Sequence, residues 1–269
     1  MDKPHSRLMS HQRLLYASFA AAAIILGACH STSNAQLRLT TPPDSVTYID
    51  TDREYFVIGE DTVRLRFGQE AAARGPRLTE SDIEEFAAGL GVEVAAIKAV
   101  IDIEAGRTHN GFWSEGKPII NFDLAVFRQM ARRHGVNLSR YTRSHPEVFS
   151  RPDIRRHGSQ QAAVQARLDR ALDIDSVSAI EGTFWGMFQI GGFNWKQCGT
   201  SSPAEFMRLM SRSERDQLEL FGEFITRAGL LPALKAKNWS AFARGYNGPS
   251  YASRGYHRRL ASAYARHKK

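Results

Sequence analysis

One carboxylate, Glu104, lies where a predicted helix would withdraw it partly from water. In residues 94–106, Ile97, Val100 and Ile101 precede it at helical spacing, so Glu104 falls on the same apolar face. It also lies near the C-terminal end of that helix, where the helix dipole is negative. Because burial and the dipole both disfavour the ionised form, we expect a raised pKa. A carboxyl group that stays protonated near neutral pH can act as a general acid.

The residues beside Glu104 bear on this interpretation. Gly106 is the predicted end of the helix, and Asp102 points away from the apolar face. We interpret Asp102 as a surface carboxylate paired with a basic side chain. The same interpretation is the alternative for Glu104, and spacing alone does not choose between a general acid and an ion pair.

Two later segments combine aromatic, glycine and amide residues. Residues 184–195 read F-W-G-M-F-Q-I-G-G-F-N-W, and residues 242–251 read F-A-R-G-Y-N-G-P-S-Y. A glutamate at a helix end, then W-G-x-x-Q-I, then Y-N-G resembles the lysozyme superfamily, which includes goose-type lysozymes and lytic transglycosylases. The chain most closely resembles the N-acetylmuramidase family of phage endolysins and bacterial cell-wall enzymes.

The resemblance covers roughly residues 78–269 and rests on several motifs in the same order. Besides the two segments above, I-E-A-G stands at residues 103–106, G-F at 111–112 and P-I-I-N-F-D at 118–123. It implies an α+β fold: a predominantly helical lysozyme-like domain with a few short strands. It also implies cleavage of the β-1,4 bond between N-acetylmuramic acid and N-acetylglucosamine in peptidoglycan, without a cofactor.

The resemblance implies a role for each matching residue, with Glu104 as the general acid. The residues that it places along the sugar cleft are Phe112, Trp185, Gln189, Tyr246 and Asn247. Amide and hydroxyl groups among them could bond sugar substituents, and Trp185 could stack on a sugar ring. The alternatives stay open: Gln189 and Asn247 could satisfy buried backbone groups. Trp185 and Tyr246 could equally be core residues.

The sequence departs from the family pattern at two places. Asp123 stands where the family strand usually ends in Glu, and it directly precedes a predicted helix. It is therefore either the second catalytic carboxylate or a helix N-cap. Residues 182–184 replace a Ser-rich lead into the W-G motif, and Glu181 adds an acid nearby. Neither change removes Glu104.

Two other functions are compatible with these motifs. A lytic transglycosylase uses one Glu as acid and then base, and the muramoyl 6-hydroxyl attacks in place of water, so it needs no second carboxylate. A non-catalytic peptidoglycan-binding lipoprotein would be expected to lack the acid, whereas Glu104 is present. Whether a hydrolase retains or inverts configuration depends on the separation of two carboxyl groups, which the sequence does not give.

The elements that must position these residues are predicted to be mostly helical. A capping box at residues 79–82 begins the first helix and another stands at residues 202–205. Short apolar runs at residues 118–122 and 185–190 predict strands, and alternation over residues 55–67 predicts a β-hairpin. The other predicted helices cover residues 94–104, 124–134, 160–172, 213–228, 240–246 and 256–266.

The N-terminal segment predicts export and lipidation. Residues 1–28 combine three basic residues with an apolar stretch that is too short to span a bilayer, which is typical of a signal peptide. The L-G-A sequence before Cys29 resembles a lipobox, in which the cysteine is acylated after cleavage. The alternative is a plain secretory signal. Residues 29–45 are then a flexible tether, residues 46–75 a hairpin extension, and residues 76–269 the lysozyme-like domain.

Composition limits the remaining classes of function. The chain has 269 residues and only two cysteines, Cys29 and Cys198, which excludes a disulfide framework and a Cys-based zinc site. The nine His show no metal-ligand spacing, so we expect neither metal nor cofactor. A formal charge of +8 favours an anionic partner. We expect peptidoglycan and, through Cys29, a membrane, but not nucleic acid, and a monomer facing the periplasm on the outer membrane.

Overall fold

The structure is a computed structural model that describes residues 56–58, 61–63, 77–105 and 110–269. The predicted signal peptide, Cys29, the tether, Gly106 and most of the predicted hairpin extension lie outside the described residues. Within the described ranges, no helix combines the length and the apolar character that crossing a membrane requires.

Helices dominate the described chain, as the sequence predicts. The six long helices after the first agree with their predicted ranges to within one residue at each end, and Thr79 and Asp82 form the predicted capping box. In chain order, α1 to α12 are Glu80–Leu90, Val94–Glu104, Leu124–Arg133, Pro146–Phe149, Ile154–His157, Gln160–Leu172, Ser176–Glu181, Pro203–Met210, Glu214–Arg227, Leu231–Lys235, Trp239–Asn247 and Tyr256–His267.

The strands are short and antiparallel. In chain order, β1 to β7 are Phe56–Ile58, Asp61–Val63, Phe112–Ser114, Lys117–Pro118, Ile120–Phe122, Thr183–Trp185 and Ile190–Gly191. The first two pair with each other within the predicted hairpin, and β3 pairs with β4. The other three form one sheet in the order β5-β6-β7, so the W-G motif ends its central strand. This is the α+β architecture that the sequence predicts.

The predicted single strand over residues 185–190 is wrong. The first strand ends at Trp185 and the next begins at Ile190, so the residues between them reverse the chain. Gly186 and Gln189 make this reversal with left-handed backbones, at φ 69° and 47°. Met187 and Phe188 are nevertheless buried. The apolar run therefore reflects a turn packed into the core, which an apolar run of this length cannot distinguish from a strand.

Helices α2 and α9 lie at the centre of the fold. Helix α12 packs along α2, whose buried residues include Ile97, Val100 and Ile101. Helix α9 is buried on almost all sides from Glu214 to Ile225. Since buried polar groups need hydrogen-bond partners, the polar residues of α9 must be satisfied by the chain that surrounds them.

Candidate active site

Glu104 is the last residue of α2, on the face that carries its buried aliphatic residues. The residue as a whole is half-buried. Burial raises the pKa of Glu104 to about 7, although a hydrogen bond from Asn247 and the charge of Arg259 lower it. The raised pKa predicted from the helix pattern is thus present. Near neutral pH both the protonated and the ionised form of the carboxyl group are therefore populated.

Asn247, the last residue of α11, supplies the contact to this acid. Its Nδ2 donates to Oε1 of Glu104 over 3.3 Å, and the residue is 9% exposed. Its Oδ1 is buried and has no hydrogen-bond partner in the described part of the chain. Of the predicted cleft residues, Asn247 is the one that the structure joins directly to Glu104.

Tyr246 lies beside Asn247 but is directed into the core. Its hydroxyl donates to the carbonyl of Phe188 over 2.8 Å, and its ring stacks on Phe242. Burial raises the pKa of Tyr246 well above its usual value, and the nearby Glu104 charge adds to this. This placement agrees with the alternative that Tyr246 is a core residue, and its contacts hold the C-terminal end of α11 in place.

Gln189 occupies the left-handed position of the turn between β6 and β7. Its Nε2 donates to the carbonyls of Gly186 and Ile119, over 2.8 Å and 3.4 Å. These bonds satisfy backbone groups, as the alternative for this residue states. They also hold a backbone conformation that costs a non-glycine residue roughly 1 kcal/mol. Its Oε1 has no partner among the residues that the structure describes, so this oxygen remains available.

Trp185 and Phe112 are core residues in this structure. Trp185 is 2% exposed, its Nε1 donates to the carbonyl of Ile180, and its ring meets Phe206 edge-on. Phe112 is buried opposite Pro118. Neither ring has an open face on which a sugar could stack, so the structure gives no support to their predicted cleft roles. A partly exposed ring does follow directly, that of Trp113, which lies near Lys117.

Asp123 and Glu181, the two acids at the departures from the family pattern, both have structural partners. Oδ1 of Asp123 accepts from the backbone N–H groups of Ala125 and Val126, which makes it the N-cap of α3. Glu181 is buried between His134, at 2.7 Å, and the indole N–H of Trp195, at 3.0 Å. The cap alternative for Asp123 is therefore realised.

Two residues that the sequence analysis did not select hold the motifs together. Oε1 of Glu214 accepts from the backbone N–H of Gly111 over 2.7 Å, and Oε2 accepts from that of Leu78 over 2.9 Å. Oε1 of Gln217 accepts from the backbone N–H of Met187 over 2.8 Å, and its Nε2 donates to the carbonyl of Gly111 over 3.3 Å. Helix α9 thus fastens the G-F motif and the W-G turn to one support.

The glycines of both motifs are explained by this close approach. A Cβ at Gly186 would lie 2.6 Å from Oε1 of Gln217, and one at Gly111 would lie closer still. A signal for these supports was present in the sequence. Glu214 and Gln217 share a helical face with Leu218 and Phe221, in the same pattern that singled out Glu104.

The structure confirms the prediction that Asp102 is a surface carboxylate paired with a basic side chain. Its Oδ2 lies 3.1 Å from a guanidinium nitrogen of Arg266 and 2.8 Å from Nε2 of His267. Both partners belong to α12, so the pair ties the last helix to α2. Among the described residues, no cluster of His, Cys, Asp and Glu is arranged to hold a metal ion.

Comparison with known proteins agrees with this geometry. The family model described as N-acetylmuramidase matches residues 93–268. The chain is similar to the Burkholderia AP3 phage endolysin, which has a crystal structure. The two sequences are 33% identical, the structures superpose with a TM-score of 0.61, and the match covers 72% of each chain. No curated protein matches the chain. The chain belongs to the N-acetylmuramidase family and is a peptidoglycan hydrolase of the muramidase type.

Proposed function

We propose that the chain hydrolyses the β-1,4 bond between N-acetylmuramic acid and N-acetylglucosamine, with Glu104 as the general acid. The observation that carries this proposal is the position of Glu104. It lies at the end of α2 on the face with the buried residues, is half-buried, and has its pKa raised to about 7 by burial. A carboxyl group with that pKa can hold a proton at neutral pH and release it to a glycosidic oxygen.

Asn247 is suited to both protonation states of this acid. When Glu104 is ionised, the amide N–H of Asn247 donates to it, as the structure shows. When Glu104 is protonated, its hydroxyl needs an acceptor, and the unpartnered Oδ1 of Asn247 becomes one if the amide rotates. Asn247 would then position the carboxyl group throughout the proton transfer, while Gln189 would offer its free Oε1 to a sugar amide.

The identity of a second carboxylate separates this proposal from the alternative of a lytic transglycosylase. Asp123 is the proposed second carboxylate, but its role as N-cap of α3 favours the alternative, because a transglycosylase needs none. Mass spectrometry of digested sacculi tests the choice. Because the match to the N-acetylmuramidase family supports hydrolysis, we expect products with reducing ends, and 1,6-anhydro products would instead establish a transglycosylase.

We also propose that the chain acts as a monomer anchored by an acylated Cys29 and facing the periplasm. The lipobox-like sequence and the excess of basic over acidic residues support this location, next to an anionic polymer. Labelled palmitate should be incorporated in a Gram-negative host, and Cys29→Ser should abolish the label. Labelling that survives the substitution would contradict the anchor.

A further inference from the structure

A cavity away from Glu104 has no role in the proposed reaction. It has a volume of about 480 Å³ and lies where α4, α5 and α6 meet. That volume is within the range of sites that bind small molecules or short peptide segments. Its lining is rich in charged side chains, including the guanidinium groups of Arg151, Arg156, Arg167 and Arg170.

The acidic side chains of the cavity already have partners. Glu147 accepts from Arg170 over 2.6 Å, and Asp153 caps α5 by accepting from a backbone N–H group. Asp169 accepts from the side chain of Gln165 over 2.8 Å. Of the three acids, Glu147 alone is bonded to an arginine of the lining, so Asp153 and Asp169 keep their charge. The four arginines of the lining still outnumber its three acids.

Three guanidinium groups are left to face the cavity. Arg151 and Arg156 are exposed, and Arg167 is half-buried. Within residues 77–105 and 110–269, none of the three forms an ion pair. Arg167 donates through Nε to the carbonyl of Val148 over 2.9 Å, which fixes the group, and the charge of Asp123 acts on it. Guanidinium groups arranged in this way favour a carboxylate or a phosphate.

The cavity adjoins the sheet that carries the W-G motif. The guanidinium group of Arg167 lies 5.1 Å from the ring centroid of Phe122, in β5. From the same helix, Gln161 donates to the carbonyl of Ile120 over 3.1 Å and accepts from its N–H over 3.0 Å. Helix α6 therefore forms one wall of the cavity and also fixes the strand that pairs with Trp185.

We propose that this cavity binds the carboxylates of a peptidoglycan stem peptide. The inference rests on the proposed function, because it is the glycan substrate that brings stem peptides to the protein. Each stem carries several carboxylates close together on a short peptide, which matches a cavity whose lining has more arginines than acids and three arginines outside the ion pairs of the described residues. The site would recognise strands that still bear their peptides and would add to the affinity that the sugar cleft provides.

Calorimetric titration of the full chain with a free stem tripeptide tests the site without any catalysis, because the tripeptide has no glycosidic bond. We expect saturable binding to the wild-type chain. We expect Arg156→Gln and Arg151→Gln each to raise the Kd by about tenfold or more, since each removes a charge-assisted contact. Both residues are exposed, so the variants should fold.

Arg155→Gln is the matched control, because Arg155 is an exposed arginine of the same helix that does not line the cavity. It should leave the Kd within about twofold, since surface charges of this kind contribute little. A wild-type chain that fails to bind the tripeptide, or an equal loss in Arg155→Gln, would overturn the inference. Inorganic phosphate that binds as tightly as the tripeptide would also overturn it, in favour of a phosphate polymer.

The two proposals can fail separately. If the chain binds the tripeptide at this cavity but releases no product from sacculi, the inference stands and the hydrolase proposal fails. If the chain cleaves sacculi but does not bind the tripeptide, the hydrolase proposal stands and the stem-peptide site fails.

Discussion

Helices α2 and α9 both carry a glutamate on an apolar face, but the two glutamates have different hydrogen-bond partners. Glu104 and Glu214 each occupy a helix face shared with buried apolar residues. Glu214, at the first turn of its helix, has both oxygens satisfied by backbone N–H groups. Glu104, at the last turn of its helix, has one long bond from an amide. The completed bonds of Glu214 give it a structural role, whereas the incomplete bonds of Glu104 are compatible with its proposed role as an acid.

Glu219 shows that a raised pKa alone does not identify the acid. Burial raises its pKa to about 7, as it does for Glu104, even though Arg215 pairs with it. Glu219 is 2% exposed, so a substrate cannot reach it. Glu104 is half-buried, and this lesser burial, together with the pKa, separates the candidate acid from the buried carboxylates of α9.

The largest effect should come from Glu104→Gln. Glutamine keeps the shape and can still pair with Asn247, but it cannot deliver a proton. Loss of general acid catalysis typically costs about 10²–10⁴-fold in rate. We expect that loss in release of muropeptides from purified sacculi, with unchanged binding to sacculi. Cleavage at the wild-type rate would remove Glu104 from its proposed role, and Asp102→Asn serves as the control that should keep activity.

Glu214→Gln should mainly reduce stability. The substitution replaces one of two acceptor oxygens with an N–H donor that faces a backbone N–H, within a buried site. The free energy of unfolding should fall by about 2–3 kcal/mol, because hydrogen bonds to a charged group are lost. Thermal or denaturant unfolding measures this. A stable Glu214→Gln protein with the kinetics expected of Glu104→Gln would reverse the assignment of the two acids.

The pH dependence should follow the raised pKa of Glu104. Activity should fall as pH rises through about 7, because the acid loses its proton there. Between about pH 4.5 and 7 Glu104 is protonated in the folded state and ionised in the unfolded state. The free energy of unfolding therefore falls as pH rises through this range. Glu104→Gln should therefore be about 1–3 kcal/mol more stable than wild type at pH 8 and no more stable at pH 4. If the difference in stability between Glu104→Gln and wild type were the same at pH 4 and pH 8, the raised pKa would be contradicted.

Asn247→Ala should have a smaller effect on rate and a specific effect on the pH profile. The amide of Asn247 donates to ionised Glu104 and thereby lowers its pKa, so its removal should move the basic limb to higher pH. The loss of one positioning hydrogen bond should reduce the rate by about tenfold. A slower enzyme with an unmoved basic limb would show that Asn247 contacts the sugar rather than the acid.

Asp123→Asn should change least if Asp123 is only a cap. Asparagine caps helices about as well as aspartate, so stability should change by less than about 0.5 kcal/mol, and Asp123→Ala should lose about 1 kcal/mol. Turnover of sacculi by the stable Asn variant then isolates the charge. A large loss of turnover in Asp123→Asn would make Asp123 the second catalytic carboxylate.

The long helices and the position of Glu104 could be predicted because they depend on local spacing. Helix α2 repeats its apolar residues over three turns, and Glu104 falls on the same face. The short helices Pro146–Phe149 and Ile154–His157 span about one turn each, too short for a period to appear. The cavity beside them therefore had no signal in the sequence.

The sequence places Glu214 and Gln217 on the apolar face of α9, but it could not predict which groups their side chains bond. Gln217 joins Gly111, Met187 and Met210, which lie in different segments of the chain, and only tertiary packing brings them together. The same limit applies to Trp185: its residue type suits a sugar platform, but the packing of Phe206 against its ring decides its role. Residue type and spacing identify candidates, and long-range contacts assign them.

The side chain of Gln161 has a consequence for how the protein behaves at high concentration. Strand β5 is the outer strand of its sheet, where a free N–H and carbonyl could pair with a strand of another molecule. Gln161 bonds both backbone groups of Ile120 and so takes the place of that strand. A single amide thereby occupies the two backbone groups through which this edge of the sheet could pair with another molecule.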